Sequence, residues 1–400
     1  MNYVRTYCGY PEHNSTSYFL QNKNLKPLKL SALILGVFLI GANSFILGPI
    51  LGDVAQSLNT RPVAITRAIS AFGAAAAFSA FFLSGLIDRI DTRIILTGSV
   101  TLIMIAFAGS AISVNWQMLA LFQALAGFST GILLPAIYAE AVMSAPEGQG
   151  ARVLGIVLSG WSIALVAGVP VSALLSDVLN WRIAYTVLGS LAAALAIAFL
   201  GLKTNRPAEK APALSRVQAL RIAGAKSLLL TGLLFMIAFY GTYALLGHHI
   251  REVQNLNATL ASTVVIAYGI GFGLGGASAR QVDRLGPGRA FPFFLLASMV
   301  LYLALIAATH TLLASLGVAF LLGISNHFGI SLVVLRLAQR NPHARGTLIG
   351  LNTTATYVAV FFGPLIMSSL YQGVNFYAVC VLAGALLGTC ALLMWRIRNL

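Results

Sequence analysis

The chain has 400 residues, 58% of them hydrophobic and only 9% charged, with a mean hydropathy of +0.87, where a soluble domain carries roughly 25% charged residues. That balance excludes a soluble core, and a lipid-exposed open sheet fails because its backbone edges cannot be satisfied in hydrocarbon, so an all-α integral membrane protein is expected. The net charge of +15 would suggest nucleic acid in a soluble protein, but here the cations fall in alternate loops and report topology instead.

Residues 1–29 form a polar tail with no apolar stretch of signal-peptide length, expected to be a cytoplasmic extension. Twelve apolar segments follow, each near the roughly 20 residues that cross a bilayer: Leu30–Leu51, Val63–Ile87, Ile94–Val114, Trp116–Met143, Val153–Leu175, Arg182–Leu202, Leu228–Ile250, Ala258–Gln281, Ala290–Ala308, Leu312–Leu337, Gly346–Leu370 and Gly373–Trp395. Residues 203–227, with Pro207, Pro212, Lys210, Arg216, Arg221 and Lys226, are too charged to be buried and read as a linker between halves 30–202 and 228–400. Placing both termini inside puts 21 of the 25 Lys and Arg in cytoplasmic segments, leaving outside only Arg61, Arg67, Arg182 and Arg251.

The halves repeat in detail, and so long a period means a duplicated unit. The charged turn from Ser84 through Asp88, Arg89, Asp91 and Arg93 returns as Ala279 through Asp283, Arg284 and Arg289. Gln56-Ser57-Leu58-Asn59 is matched by Gln254-Asn255-Leu256-Asn257, and Phe72-Gly73 by Tyr268-Gly269. Gly155, Gly168 and Pro170 are matched by Gly350, Gly363 and Pro364.

Both charged turns resemble the signature loop of the major facilitator superfamily, G-x-x-x-D-R-x-G-R-R/K. Ser84 and Ala279 stand at its first glycine and Asp91 at its second. The stretch Phe45 to Leu58, with Gly48-Pro49 and Gly52-Asp53, resembles the end of the first helix in bacterial drug:proton antiporters and arabinose-efflux-like permeases. Asn180-Trp181-Arg182 and Gly168-Val169-Pro170 are similar to further elements of those exporters. The resemblance implies twelve helices in two pseudo-symmetric halves, with a substrate site near the midplane between them. It further implies a bacterial inner-membrane carrier, in contact with the lipid bilayer, that exports a small, moderately hydrophobic solute by alternating access. Protons are the candidate coupling ion, a monomer is expected, and neither a cofactor, nucleic acid nor an enzymatic reaction is. An importer or facilitated-diffusion carrier is the alternative, and a membrane sensor a more distant one.

Two departures bear on mechanism. Gln123 stands where family antiporters commonly carry an arginine in the fourth helix, and Asn43-Ser44 where they often keep a carboxylate in the first. A charge at the bilayer centre costs at least about 2.5 to 3.5 kcal/mol, so members that retain one have a use for it. Substrate-binding candidates are the polar and aromatic residues near midmembrane on the cavity-lining helices of the resembled fold: Asn43, Ser44, Gln123, Tyr240, Tyr243, Asn326 and His327. Proton-coupling candidates are His327, Asp53 and Glu252. A conformational latch is expected from Asp88, Arg89, Arg93, Glu140 and Arg152, with Asp283 and Arg284 in the second half. Gly160 and Gly168 share a helix face and suit close helix packing, as do Gly363 and the prolines Pro170 and Pro364. No metal site is expected: Cys8, Cys380 and Cys390 are scattered, and His248 and His249, being adjacent, point to different faces. The run Gly269 to Gly276 lies in an apolar helix with no preceding strand, and reads as packing rather than a phosphate loop.

Overall fold

The computed structural model describes residues 27–83, 90–146, 149–202, 215–277, 287–341 and 344–396. Asp88, Arg89, Asp283 and Arg284 of the expected latch lie outside these residues, as do most of the tail and the first part of the linker. The first half comprises α1 (Pro27–Ile46), the short α2 (Leu51–Ser57), α3 (Pro62–Leu83), α4 (Thr92–Ala111), α5 (Trp116–Met143), α6 (Gly150–Ile163) running through a π turn (Ala164–Gly168) into α7 (Val169–Val178), and α8 (Trp181–Gly201). A short α9 (Arg216–Leu220) precedes the second half, α10 (Ala225–Gln254), α11 (Ala258–Ala277), α12 (Pro287–Ala308), α13 (Leu312–Arg340), α14 (Arg345–Gly373) and α15 (Phe376–Arg396). Counting α6–α7 as one span, 12 helices among the described residues are long and apolar enough to cross a membrane. An even number of spans puts Pro27 and Arg396 at one end of the bundle, the terminal end; the opposite end is the far end.

Polar residues at the turns set the helix starts. Asn115 accepts the Met118 amide at 2.8 Å, Asn180 the Arg182 amide at 2.9 Å, Asn257 the Leu260 amide at 2.9 Å and Asn375 the Ala378 amide at 3.0 Å. Each satisfies an amide that has no intrahelical acceptor. At the terminal end Asp91 does the same for Arg93, at 2.8 Å, so the aspartate at the expected glycine position opens α4.

Three boundaries differ from expectation. The first span ends at Ile46, not Leu51, because Pro49 has no amide to donate and disfavours helical geometry at Gly48. The fifth span is not uniform: Pro170 sits in the first turn of α7, directly after the π turn, where its missing N–H releases a carbonyl of the preceding turn. Within the expected linker, residues 215–227 carry helix before Leu228. Ser215 and Gln218 form a reciprocal cap that starts α9, Arg216 donates to the Phe81 carbonyl at the end of α3 at 2.5 Å, and α10 begins at Ala225.

Small residues bring the helices together, as expected where lipid offers no hydrophobic drive to association. Gly127 of α5 lies on the backbone of Phe72 in α3, and Gly323 of α13 lies on the backbone of Tyr268 in α11, the same contact once in each half. Gly160 and Gly168 seat their span on α1, at Ile34, Val37 and Phe38. Gly363 abuts Gly241 of α10, where an added Cβ would come within 3.0 Å of backbone atoms. Between the halves, Gly73 of α3 faces Val360 and Phe361 of α14, and Gly269 of α11 faces Leu165 and Val166 of the π turn. A Cβ on Gly73 would meet the Phe361 amide nitrogen at 2.5 Å. Gly73→Leu should therefore force α3 and α14 apart, with an overpacking cost of about 1–3 kcal/mol, read as a lower midpoint of thermal unfolding in detergent.

Candidate functional site

Three of the expected substrate ligands are spent inside their own halves. Asn43 and Gln123 form a reciprocal amide pair between α1 and α5, at 3.0 and 3.2 Å. Gln123 Nε2 also lies within bonding distance of Ser110 Oγ on α4, at 3.3 Å, and Tyr185 Oη on α8, at 3.1 Å. Four helices thus meet at one buried knot. The second half carries its counterpart: Asn326 of α13 donates towards Tyr268 Oη and Tyr302 Oη, both at 3.4 Å, and accepts from Ser298 at 3.1 Å. Ser44 bonds back to the Ile40 carbonyl of its own helix at 2.7 Å. In this structure Asn43, Gln123 and Asn326 act as interior cross-links: in a medium without water their amides bond the nearest helices.

The two tyrosines are placed differently. Phe45 of α1 stacks on Tyr240, centroids 5.7 Å apart, and meets Tyr243 edge-on at 4.8 Å, so one ring of the first half inserts against α10 of the second. Trp161 of α6 approaches Phe45 at 6.1 Å and donates its indole N–H to Tyr138 of α5 at 3.0 Å. On the other side Phe239 stacks over Tyr268 at 5.5 Å, and Tyr357 of α14 meets Phe72 of α3 at 6.4 Å. Tyr240 and Tyr357 make no hydrogen bond through their hydroxyls among the described residues. The outcome is an aromatic enclosure contributed by both halves and filled by its own packed rings. Among the described residues it holds no carboxylate, lysine or arginine. His327 is half-buried beside Phe272, ring centroids 4.8 Å apart, and against Gly275; its Nδ1 has no hydrogen-bond partner.

The far end is closed across the halves by ionic and helix-capping bonds. Arg251 of α10 grips Asp53 of α2 through two parallel bonds of 2.7 and 2.8 Å and reaches the Pro49 carbonyl at 3.0 Å. The planar guanidinium matches the carboxylate, which makes this a geometrically specific contact. Asp177 at the end of α7 accepts the amides of Ala258 and Thr259, at 3.1 and 2.6 Å, capping α11 of the opposite half where helix dipole and free N–H groups favour an anion. Glu252 stays within its half, 3.2 Å from His248 Nε2 and accepting from Tyr371 Oη at 3.0 Å. His249 turns the other way, stacked on Phe376 at 4.1 Å.

At the terminal end Glu140 of the expected latch is fully buried. It is ion-paired with Lys29 and accepts from Ser144 at 2.8 Å, while Arg93 and Arg152 are exposed and do not reach it. The physical reason is that α1 starts at Pro27, which carries Lys29 into its first turn against α5.

The sequence from residue 33 to residue 364 matches the family model described as Major Facilitator Superfamily. The chain belongs to the major facilitator superfamily. It is 26% identical over 380 residues to the uncharacterized MFS-type transporter YwfA of Bacillus subtilis, covering 92% of each chain. It is 22% identical to YceJ of the same organism, also named an uncharacterized MFS-type transporter, over 89% of this chain and 91% of that one. Among solved structures it is similar to a bacterial homolog of the human lysosomal transporter Spinster in an inward-facing, unoccupied conformation. There the TM-score is 0.70 at 15% identity, over 93% of this chain and 96% of that one, a likeness of fold. The protein is therefore a multi-pass membrane transporter that meets the lipid bilayer and carries a small-molecule substrate.

Within that family frame, Asp177, Trp161, Tyr138, Tyr357 and Tyr185 are the residues sequence reasoning missed. Asp177 had a signal, being one of three acids at the far end of an acid-poor chain. The aromatics had none, because their spacing is that of any apolar helix.

Gln123→Leu should leave Asn43 without its buried amide partner, at a cost of about 1–3 kcal/mol, read as a lower thermal midpoint. Asp53→Asn should loosen the far end, so that Ala261→Cys, buried on α11, is labelled faster by a membrane-impermeant maleimide than in the parent carrying only the cysteine.

Proposed function

We propose that this transporter exports a small, moderately hydrophobic solute, a drug or a metabolite, by alternating access of halves 30–202 and 228–400 about linker 203–227. The aromatic enclosure between α1, α5, α6, α10 and α14 is the observation that carries the reading. Rings from both halves, with the unengaged hydroxyls of Tyr240 and Tyr357, suit a solute with apolar faces and one or two polar groups. Phe45, Trp161, Tyr240 and Tyr243 form its walls, and a solute lodging there must part Phe45 from α10. The cation count at the terminal end supports that end facing the cytoplasm, with the far end outside. The far-end closure by Asp53–Arg251 and Asp177 then corresponds to a carrier closed to the outside.

Export, and kinship with drug:proton antiporters and arabinose-efflux permeases, rest on the sequence resemblances at Phe45–Leu58 and Gly168-Val169-Pro170. His327, with its unpartnered ring nitrogen, is the proposed proton site. Importer or facilitated-diffusion carrier is the second reading, favoured by the neutral Asn43–Gln123 pair that occupies the positions of the family's usual charges.

Reconstitution in proteoliposomes with a panel of solutes, with and without an imposed pH gradient, separates the readings. Export predicts accumulation driven by the gradient; the second reading predicts equilibration that ignores it. Tyr240→Ala should raise the KM for the transported solute at least several-fold. His327→Gln should keep exchange and lose only the gradient-driven component; retention of that component would remove His327 from the coupling path.

A further inference from the structure

The far-end arginines divide into two kinds. Arg251 is held by Asp53, and Arg182 by the Ser57 hydroxyl at 2.7 Å, the Ser113 carbonyl at 2.9 Å and the face of Trp181 at 4.4 Å. Arg61 and Arg67 have no such commitment. Among the described residues neither makes a salt bridge or a side-chain hydrogen bond, and Arg67 lies over the Trp116 ring, 5.4 Å from its centroid. Both line one cleft of about 480 Å³ at the far end. Its remaining walls are Asn59, Thr60, Val63, Ala64, Trp116 and, from the opposite half, Gln372 at the end of α14.

Two features of this placement call for a partner. Arg61 immediately precedes α3, where the positive end of the helix disfavours a cation, and Arg67 follows one turn later on the same exposed rim. No carboxylate lines the cleft, because the far-end acids are engaged elsewhere: Asp53 with Arg251, Asp177 with the start of α11 and Glu252 with His248 and Tyr371. Violations that coincide at one concave place are the mark of a functional site rather than of packing. What both lack is an anion.

We propose that this cleft binds an oxyanion, a phosphate or carboxylate group, clamped between the guanidinium groups of Arg61 and Arg67. Guanidinium geometry pairs such groups through parallel hydrogen bonds, and stacking on Trp116 pre-orients one of the two forks. Gln372, Asn59 and Thr60 supply further polar contacts. Because Gln372 belongs to the other half, the complete cleft exists while the far end is closed, so a bound anion favours that state, and the reciprocal effect follows from linkage. The site is separate from the aromatic enclosure and stands whether or not the enclosure is the substrate site.

The test uses the full-length protein in nanodiscs of phosphatidylcholine at fixed ionic strength, titrated with inorganic phosphate and followed by tryptophan fluorescence and by calorimetry. Saturable binding is expected, with the fluorescence change lost in Trp116→Phe while the heat of binding remains. Arg61→Gln, whose side chain makes no contact that folding needs, should weaken binding at least tenfold, and Arg61→Gln with Arg67→Gln should abolish it. Repeating the titration in phosphatidylglycerol nanodiscs separates the sources of the anion: phosphate silent there and active in phosphatidylcholine identifies a lipid headgroup, whereas equal activity in both identifies a free anion. Absence of saturable binding by both phosphate and acetate in phosphatidylcholine would overturn the proposal, as would unchanged affinity in the Arg61→Gln protein.

Discussion

Hydrocarbon offers no hydrogen-bond partner, so polar side chains in the interior of this bundle turn to their own helix, as Ser44 does, or to a neighbouring one. The pair of amides at Asn43 and Gln123 shows what that demand produces. Two side chains 80 positions apart bond each other, and the same glutamine gathers Ser110 and Tyr185, so α1, α4, α5 and α8 are tied at one buried point. Asn326 gathers Ser298, Tyr268 and Tyr302 in the second half. Directional bonds of this kind resist sliding, and they make each half a unit.

Between the halves the character of the contact changes along the membrane normal. At middle depth it consists of glycines against backbone, Gly73 on α14 and Gly269 on the π turn, and of aromatic rings, Phe45 on α10. Such contacts have little directional preference and can be left and regained at low cost. At the far end the contact is ionic and geometrically exacting, Asp53 with Arg251 and Asp177 with the start of α11. A structure rigid inside each half, slippery between them and latched at one rim has the mechanical properties that alternating access needs.

Much of this architecture was legible in the chain. The twelve spans follow from hydropathy alone, and the duplication is written in paired motifs such as Phe72-Gly73 and Tyr268-Gly269, which the fold places at equivalent contacts on α3 and α11. The pairing of polar residues was not legible. Asp53 and Arg251 are 198 positions apart, and Asp177 and Thr259 are separated by 82, distances at which sequence spacing carries no geometric information. The buried amides were visible as residues, but whether they face a cavity or a neighbouring helix depends on the rotation of each helix about its axis. Lys29 was assigned to the tail because its charge outweighed its place beside an apolar run, and Glu140 was assigned to other partners for the same reason.

The cap that Asp177 lends to α11 has a consequence for what opening means. A helix that owes its first amides to a residue in the other half does not keep its end intact when the halves part. The Ala258 and Thr259 amides lose their acceptors at the moment Asp177 withdraws, and the only replacements are water molecules. Asn257 retains the Leu260 amide, so unwinding stops within one turn. If the rim opens, the start of α11 is hydrated with it.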